Sequence, residues 1–361
     1  MEGFREYAIV GIGWRLTILT RRIGRILRKL EKFPGDRSEA RHMSPWSANA
    51  TPPQARVIAG SGRSGTTWLL DQLATANGLR PIFEPLHPAG PADIQDLAGR
   101  YLRPDHEAPH LEQAMRRVLV GEHVGLWANA RVVPRSLGRF DSPKLMAGRL
   151  IQLGRGYREY LRTRHGPPLV KFIRANLLSG WLAKRCSARV LLLVRHPGGV
   201  VASRLKLGSK VWAEPKQVLR AYLQQDALVR DYLSGVRGLL EGPLGPVALY
   251  TAIWCVENTV PLRLAEANGV AVAFYEKLVY SDEDEWQRLL RHLDLQARPD
   301  AGGLQHPSQQ VSEELKRKRF KPEHTARWMD RLGPTGCEEL QRVLSAFGVE
   351  VYDAAHPMPR I

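Results

Sequence analysis

Cysteine is scarce in this chain and acidic residues are outnumbered, and each shortage removes a class of protein. Only three of the 361 residues are cysteine, Cys186, Cys255 and Cys337, an odd number with no CxxC pair. A disulfide framework and a cysteine zinc site are thereby excluded, and a reducing, cytoplasmic setting is the expectation. No metal site is expected either. Long apolar runs are also missing: the stretch from Tyr7 to Thr20 is broken by Gly11, Gly13 and Arg15, too short and too interrupted to span a bilayer. No small-residue cleavage site follows it, which argues against a signal peptide. Asp and Glu total 36 against 53 Lys and Arg, leaving a formal charge of +17. Such an excess calls for an anionic partner, and without a nucleic-acid-binding motif beside it, nucleic acid is not the partner expected.

What is present reads as a folded, enzyme-sized chain, with 43% apolar and 25% charged residues and no internal repeat. Residues 1–33 form a unit apart. Leu16, Leu19, Ile23, Ile26, Leu27 and Leu30 recur at helical spacing, and Arg15 to Lys32 holds seven basic residues against the single acid Glu31. This basic amphipathic helix suits peripheral contact with an anionic membrane through residues 14–32, on the inner face, or packing on its own domain. Residues 34–54 read as a linker, 55–352 as the main domain and 353–361 as a C-terminal tail. Apolar runs at Arg56–Ala59, Leu169–Ile173, Val190–Val194 and Val270–Phe274 predict buried strands separated by helical patterns. The class expected is α/β: a central parallel sheet with helices on both faces, of the P-loop type. Residues from about 90 to 165 read as an insertion on the acceptor side, helical near Leu111–Leu119 and Leu150–Leu161.

The most informative segment runs Gly60-Ser61-Gly62-Arg63-Ser64-Gly65-Thr66-Thr67-Trp68, after the first strand and into a helix starting near Gly65. Glycines permit a tight turn that brings backbone N–H groups toward one point, and a helix N-terminus adds unpaired donors and a positive dipole end. An anion is the natural occupant. The Gly60-x-x-x-x-Gly65 spacing fits a nucleoside triphosphate loop, but Thr66 and Thr67 stand where that motif requires Lys and Ser/Thr. The cation is instead Arg63, inside the loop.

GSGRSGTTW resembles the 5′-phosphosulfate loop of the sulfotransferases that use 3′-phosphoadenosine-5′-phosphosulfate (PAPS), in the form with Arg found in carbohydrate-type and bacterial members. The resemblance implies that Gly62, Arg63, Ser64, Gly65, Thr66 and Thr67 hold the 5′-phosphate. It also puts Trp68 where cytosolic members stack adenine, though core packing explains a tryptophan there equally well.

A second motif follows the third predicted strand: Arg195-His196-Pro197-Gly198-Gly199-Val200-Val201-Ala202-Ser203-Arg204. Pro197 suits a first helical position, and Arg195 then lies at a strand's carboxyl end, where open α/β sheets bind ligands. Spacing alone leaves the reach of Ser203 open. The segment resembles the 3′-phosphate motif of the same family, in which the Arg and the Ser eight residues later hold the 3′-phosphate; the resemblance assigns that role to Arg195 and Ser203.

Weaker matches are Tyr275-Glu276-Lys277-Leu278-Val279, with Glu276 as an organiser, Lys171 to Asn176, with Arg174 facing ligand charge or a surface ion pair, and the basic run Lys316 to Lys321 with Trp328 beyond. Sulfuryl transfer needs alignment and charge stabilisation, which falls to Arg63, and a base for the acceptor. Carbohydrate-type relatives have a Glu, often followed by Pro, where Glu84-Pro85 stands, so Glu84 is the candidate base and His87 the substitute. The reaction implied moves a sulfuryl group from PAPS, without a metal, to a hydroxyl or amine of a small molecule, glycan or lipid. The rivals are a P-loop kinase-like phosphotransferase and an inactive basic binding protein.

Overall fold

In this computed structural model residues 54–131, 143–208, 214–300 and 322–360 are described. The basic helix expected before residue 34, most of the linker and the run Lys316–Lys321 lie outside them. No helix among the described residues is long and apolar enough to cross a membrane.

Five strands pair in parallel throughout: β1 (Arg56–Ala59), β2 (Arg80–Phe83), β3 (Pro168–Phe172), β4 (Arg189–Val194) and β5 (Ala271–Phe274), in the order β2-β3-β1-β4-β5. The α/β class expected from the sequence is therefore the one observed. Alternation of side chains sends Val190, Leu192 and Val194 of β4 into one apolar cluster and Leu191 and Leu193 into a second. Both faces are thus buried, as a parallel sheet requires.

The longer helices are α1 (Thr66–Asn77), α2 (Pro109–Leu119), α3 (Pro143–Thr163), α4 (Pro197–Leu207), α5 (Pro215–Leu223), α6 (Pro246–Ala265), α7 (Glu283–Leu293) and α8 (Trp328–Ala346). Helices α1 and α7 cover one face through Leu69, Leu70, Leu73 and Trp286, Leu289 and Leu293. On the other, α6 is buried along most of its length and packs against α4, α5 and α8. Proline at the first position of α4, α5 and α6 costs no intrahelical bond.

Strand β2 had no counterpart among the predicted strands. Its Pro81 lacks a ladder donor, which in a central strand would be costly; β2 lies at the sheet edge, where that loss is tolerated. Residues 353–360, read as a tail, are tied to the domain. The Arg360 N–H bonds to the Val351 carbonyl, and the buried Asp353 accepts from the N–H groups of Ala355 and His356.

The position of the site follows from the sheet order. Strands β1 and β4 are neighbours, yet the chain leaves β1 for α1 on one face and β4 for α4 on the other. Adjacent parallel strands whose connections diverge in this way open a crevice at their carboxyl ends.

Candidate active site

The loop after β1 occupies one wall of that crevice. Its backbone turns at Arg63 (φ 78°) and Gly65 (φ 93°) before α1 begins. Gly65 is required twice over: its φ lies in the left-handed region, and a Cβ would come 2.5 Å from two ring carbons of Tyr275. The Ser61 and Ser64 hydroxyls are 2.7 Å apart, and the Ser64 N–H bonds to the Ser61 carbonyl, closing the turn on itself. The first N–H groups of α1, from Thr66 to Trp68, have no intrahelical acceptor and end at the loop.

The motif after β4 supplies the facing wall. Arg63 Nε donates to Ser203 Oγ at 2.9 Å, and an Arg195 amine donates to the Arg63 carbonyl at 3.1 Å. The Arg195 guanidinium also lies over the Tyr275 ring, 4.5 Å from its centroid. Arg204, buried and ion-paired to Glu257 at 2.7 Å, donates from the same amine and from Nε to the Gly62 carbonyl. Arg63, Arg195 and Ser203 thus converge, and the loop is held from behind by Arg204. Neither Arg63 nor Arg195 forms an ion pair among the described residues. The Arg63 residue is solvent-exposed, but protein atoms crowd its guanidinium. That partial desolvation, followed by the like charge of Arg195, lowers its pKa from the usual value. Two cations close to a nest of N–H donors without a counter-ion make a ready anion site.

Behind this wall the fold locks the second motif in place. His196 is fully buried: Nδ1 accepts from the Gly198 N–H, Nε2 meets the Asp353 carbonyl, and the ring stacks on Trp328 with centroids 4.3 Å apart. Burial, with a smaller contribution from the Arg195 charge, pushes its pKa down to about 3. Glu276, at the start of the short helix after β5, accepts from the His196 N–H at 2.9 Å and from the Tyr352 hydroxyl at 2.8 Å. Its carboxyl pKa is raised by burial. Gly198 allows the approach of Trp328, whose ring would lie 2.2 Å from a Cβ.

Trp68 is placed differently from the rest of the loop. Its ring lies in the core, edge-on to Tyr275 and Trp286 with centroids 5.6 and 6.3 Å away. Of the two readings left open for it, core packing is the one the side chain adopts; only its backbone N–H belongs to the loop. The indole is left only 7% exposed.

Glu84 follows β2 with φ 48° and is 2% exposed. Its two oxygens face two cations, Lys171 Nζ at 2.8 Å and an Arg174 amine at 3.5 Å. A left-handed, buried carboxylate is a strained arrangement of the kind that clusters at functional sites. Burial lowers the Lys171 pKa, opposed by the Glu84 charge. His87 stacks on Trp127 at 4.0 Å, and its Nδ1 accepts from the Ala89 N–H. Burial, then Arg174, lower its pKa, so the ring is neutral with its proton on Nε2. That nitrogen is a donor and not a base.

Sequence reasoning had quoted Lys171, Arg204 and Tyr275 within motif segments without giving them a role, and had passed over Glu257. For Lys171 a signal existed: it is the one charge inside the apolar run Leu169-Val170-Lys171-Phe172. Beside the loop lies a cavity of about 800 Å³, lined by Gly62, Arg174 and Arg204 at one end.

No protein-family model matches the chain, and no curated protein matches it. Among solved structures, the sulfotransferase domain of the Synechococcus PCC 7002 olefin synthase is 17% identical, with 86% of this chain and 99% of that one covered and a TM-score of 0.40. The sulfotransferase domain from the curacin biosynthetic pathway is also 17% identical, covering 83% and 99%, with a TM-score of 0.41. Sulfotransferase STF9 from Mycobacterium avium is 15% identical over 70% and 67%, with a TM-score of 0.30.

Proposed function

We propose that this chain is a PAPS-dependent sulfotransferase acting on an acceptor hydroxyl. The observation that carries the reading is the convergence of Arg63, Arg195 and Ser203, from two separate strand ends, around donors that lack a counter-ion. A donor nucleotide with phosphates at both its 3′ and 5′ positions fits two such stations. The loop from Gly62 to Thr67 receives the 5′ side, and Arg195 with Ser203 the 3′-phosphate. PAPS supplies an activated sulfuryl group on its 5′-phosphate.

Arg63 is a fixed positive charge, because a guanidinium is not deprotonated in proteins. It therefore stabilises charge growing on the 5′-phosphate oxygen as the bond from that oxygen to sulfur breaks. The acceptor oxygen forms the new bond to sulfur and its proton passes to Glu84. Glu84 is favoured over His87 because the free His87 nitrogen is a donor. Lys171 and Arg174 each pair with one oxygen of Glu84, and Arg174 links it to the cavity.

Incubation of the full chain with PAPS and hydroxyl acceptors, followed by mass analysis, tests the reading. A sulfated product whose formation is abolished in Arg63→Ala is expected. Transfer of phosphate from ATP instead would favour the kinase-like rival, against which Thr66 stands in place of the loop lysine. Peripheral membrane contact through residues 14–32 is a separate proposal, resting on their charge and periodicity.

A further inference from the structure

The cavity beside the loop has a floor made by two helix faces. Tyr250, Ile253 and Glu257 of α6 are spaced so as to share one side, and so are Val218, Ala221 and Tyr222 of α5. Tyr101 and Leu102 close it from the segment after β2. The walls are mainly aromatic and aliphatic, and the volume of about 800 Å³ is that of a pocket for a drug-sized molecule.

Three of its four arginines are already matched. Of the four arginines lining it, Arg103 is bidentate on Asp231 at 2.8 and 2.7 Å, Arg204 is paired with Glu257, and Arg174 faces Glu84. Arg100 alone forms no ion pair among the described residues, and it stands exposed at the rim where Asp96 and Asp226 are exposed as well. An acidic glycan needs a cation for each of its anionic groups, and this interior has none to spare. Removing a carboxylate or sulfate from water without such a partner is costly. The +17 charge of the chain, which calls for an anionic partner when read from composition, is thus not expressed in this chamber.

We infer that the acceptor is an alcohol or phenol with an uncharged apolar body, seated between α5 and α6 with its hydroxyl at the Gly62 and Arg174 end. The inference rests on the sulfotransferase reading for its chemistry but not for its binding arm. The shared chemistry, a neutral hydroxyl on an apolar frame, covers aromatic and long-chain sources, which separate probes distinguish.

Calorimetry on the full chain is run with 1-naphthol, decan-1-ol and an unsulfated chondroitin disaccharide, for the wild type, Ala221→Trp and Val218→Asp. Adenosine 3′,5′-bisphosphate is titrated into the same samples. Ala221 is exposed at the chamber, so a large side chain there fills space without entering the core. Binding of at least one alcohol, weakened tenfold or more by both substitutions with bisphosphate affinity unchanged, is the result expected, and the stronger alcohol identifies the source. With PAPS added, that alcohol and not the disaccharide becomes sulfated. The inference is overturned if neither alcohol binds the wild type, if the substitutions leave alcohol binding unchanged, or if the disaccharide is preferred. Failure of the wild type to bind bisphosphate would refute the donor reading while the alcohol titration still judged the chamber.

Discussion

Arg63 and Ser203 are 140 residues apart in the chain and are joined by a hydrogen bond of 2.9 Å, donated by the arginine Nε. The bond ties the loop after β1 to the helix after β4 across the crevice. It holds the two motifs side by side, and Arg195 adds a second tie by donating to the Arg63 carbonyl.

Loss of Arg195 should discriminate between nucleotides. Hydrogen bonds to charged groups are worth roughly 1.5–3 kcal/mol, so Arg195→Ala should weaken adenosine 3′,5′-bisphosphate binding by about ten- to a hundredfold. Adenosine 5′-phosphate, which lacks the 3′ group, should lose far less, only what the loop forfeits with the bond to the Arg63 carbonyl. Ser203→Ala should show the same preference at smaller size. Equal losses for both nucleotides in folded protein would show that Arg195 does not face a 3′-phosphate.

Gly65→Ala meets both a left-handed backbone and the Tyr275 ring at 2.5 Å. Strain at such a position is on the order of 1–3 kcal/mol, and α1 or Tyr275 must move to relieve it. The variant should melt at lower temperature and bind the bisphosphate at least tenfold more weakly. Unaltered affinity would mean that the loop backbone takes no part in binding.

The Glu84–Lys171 pair offers a cycle that separates structure from catalysis. Breaking a buried pair typically costs 3–5 kcal/mol because one charge is left unpaired. Lys171→Met should therefore destabilise strongly, while Lys171→Met with Glu84→Gln should recover a large part of the loss in urea denaturation. Glu84→Gln alone should keep bisphosphate affinity and lose about 10²–10⁴ in turnover, the usual contribution of a general base. Full turnover in that variant would leave Glu84 a counter-ion only.

Acid should act through His196. Its folded pKa of about 3 lies below the ordinary 6.5, so between those values the unfolded chain binds the extra proton. Stability from this residue is complete above pH 6.5 and declines as pH falls toward 3, by about 1.4 kcal/mol per unit. His196→Gln has no such titration. Denaturation midpoints at pH 7 and pH 5 should therefore differ less in the variant than in the wild type, and an identical difference would assign the acid sensitivity to other groups.

Local motifs were the legible part of the sequence. Gly60 to Thr67 and Arg195 to Ser203 each stand out as a short segment beside an apolar strand, and the strand order brings them together. β2 was obscured because Pro81 is a strand breaker everywhere but at an edge. The Lys171–Glu84 pair depends on β2 and β3 being neighbours, a fact of sheet topology and not of spacing. Trp68 stood at a motif position, yet its burial depends on Tyr275 and Trp286 from the far end of the chain. The chamber between α5 and α6 was equally out of reach, because its wall residues look like ordinary helical core in one dimension.

The donor assignment is the centre of this account, and one titration tests it most directly. Adenosine 3′,5′-bisphosphate and ATP are each titrated into the full chain by calorimetry, with magnesium and with a chelator. The account predicts that the bisphosphate binds more tightly than ATP and that the chelator leaves its affinity unchanged. Tighter, magnesium-dependent binding of ATP would contradict it.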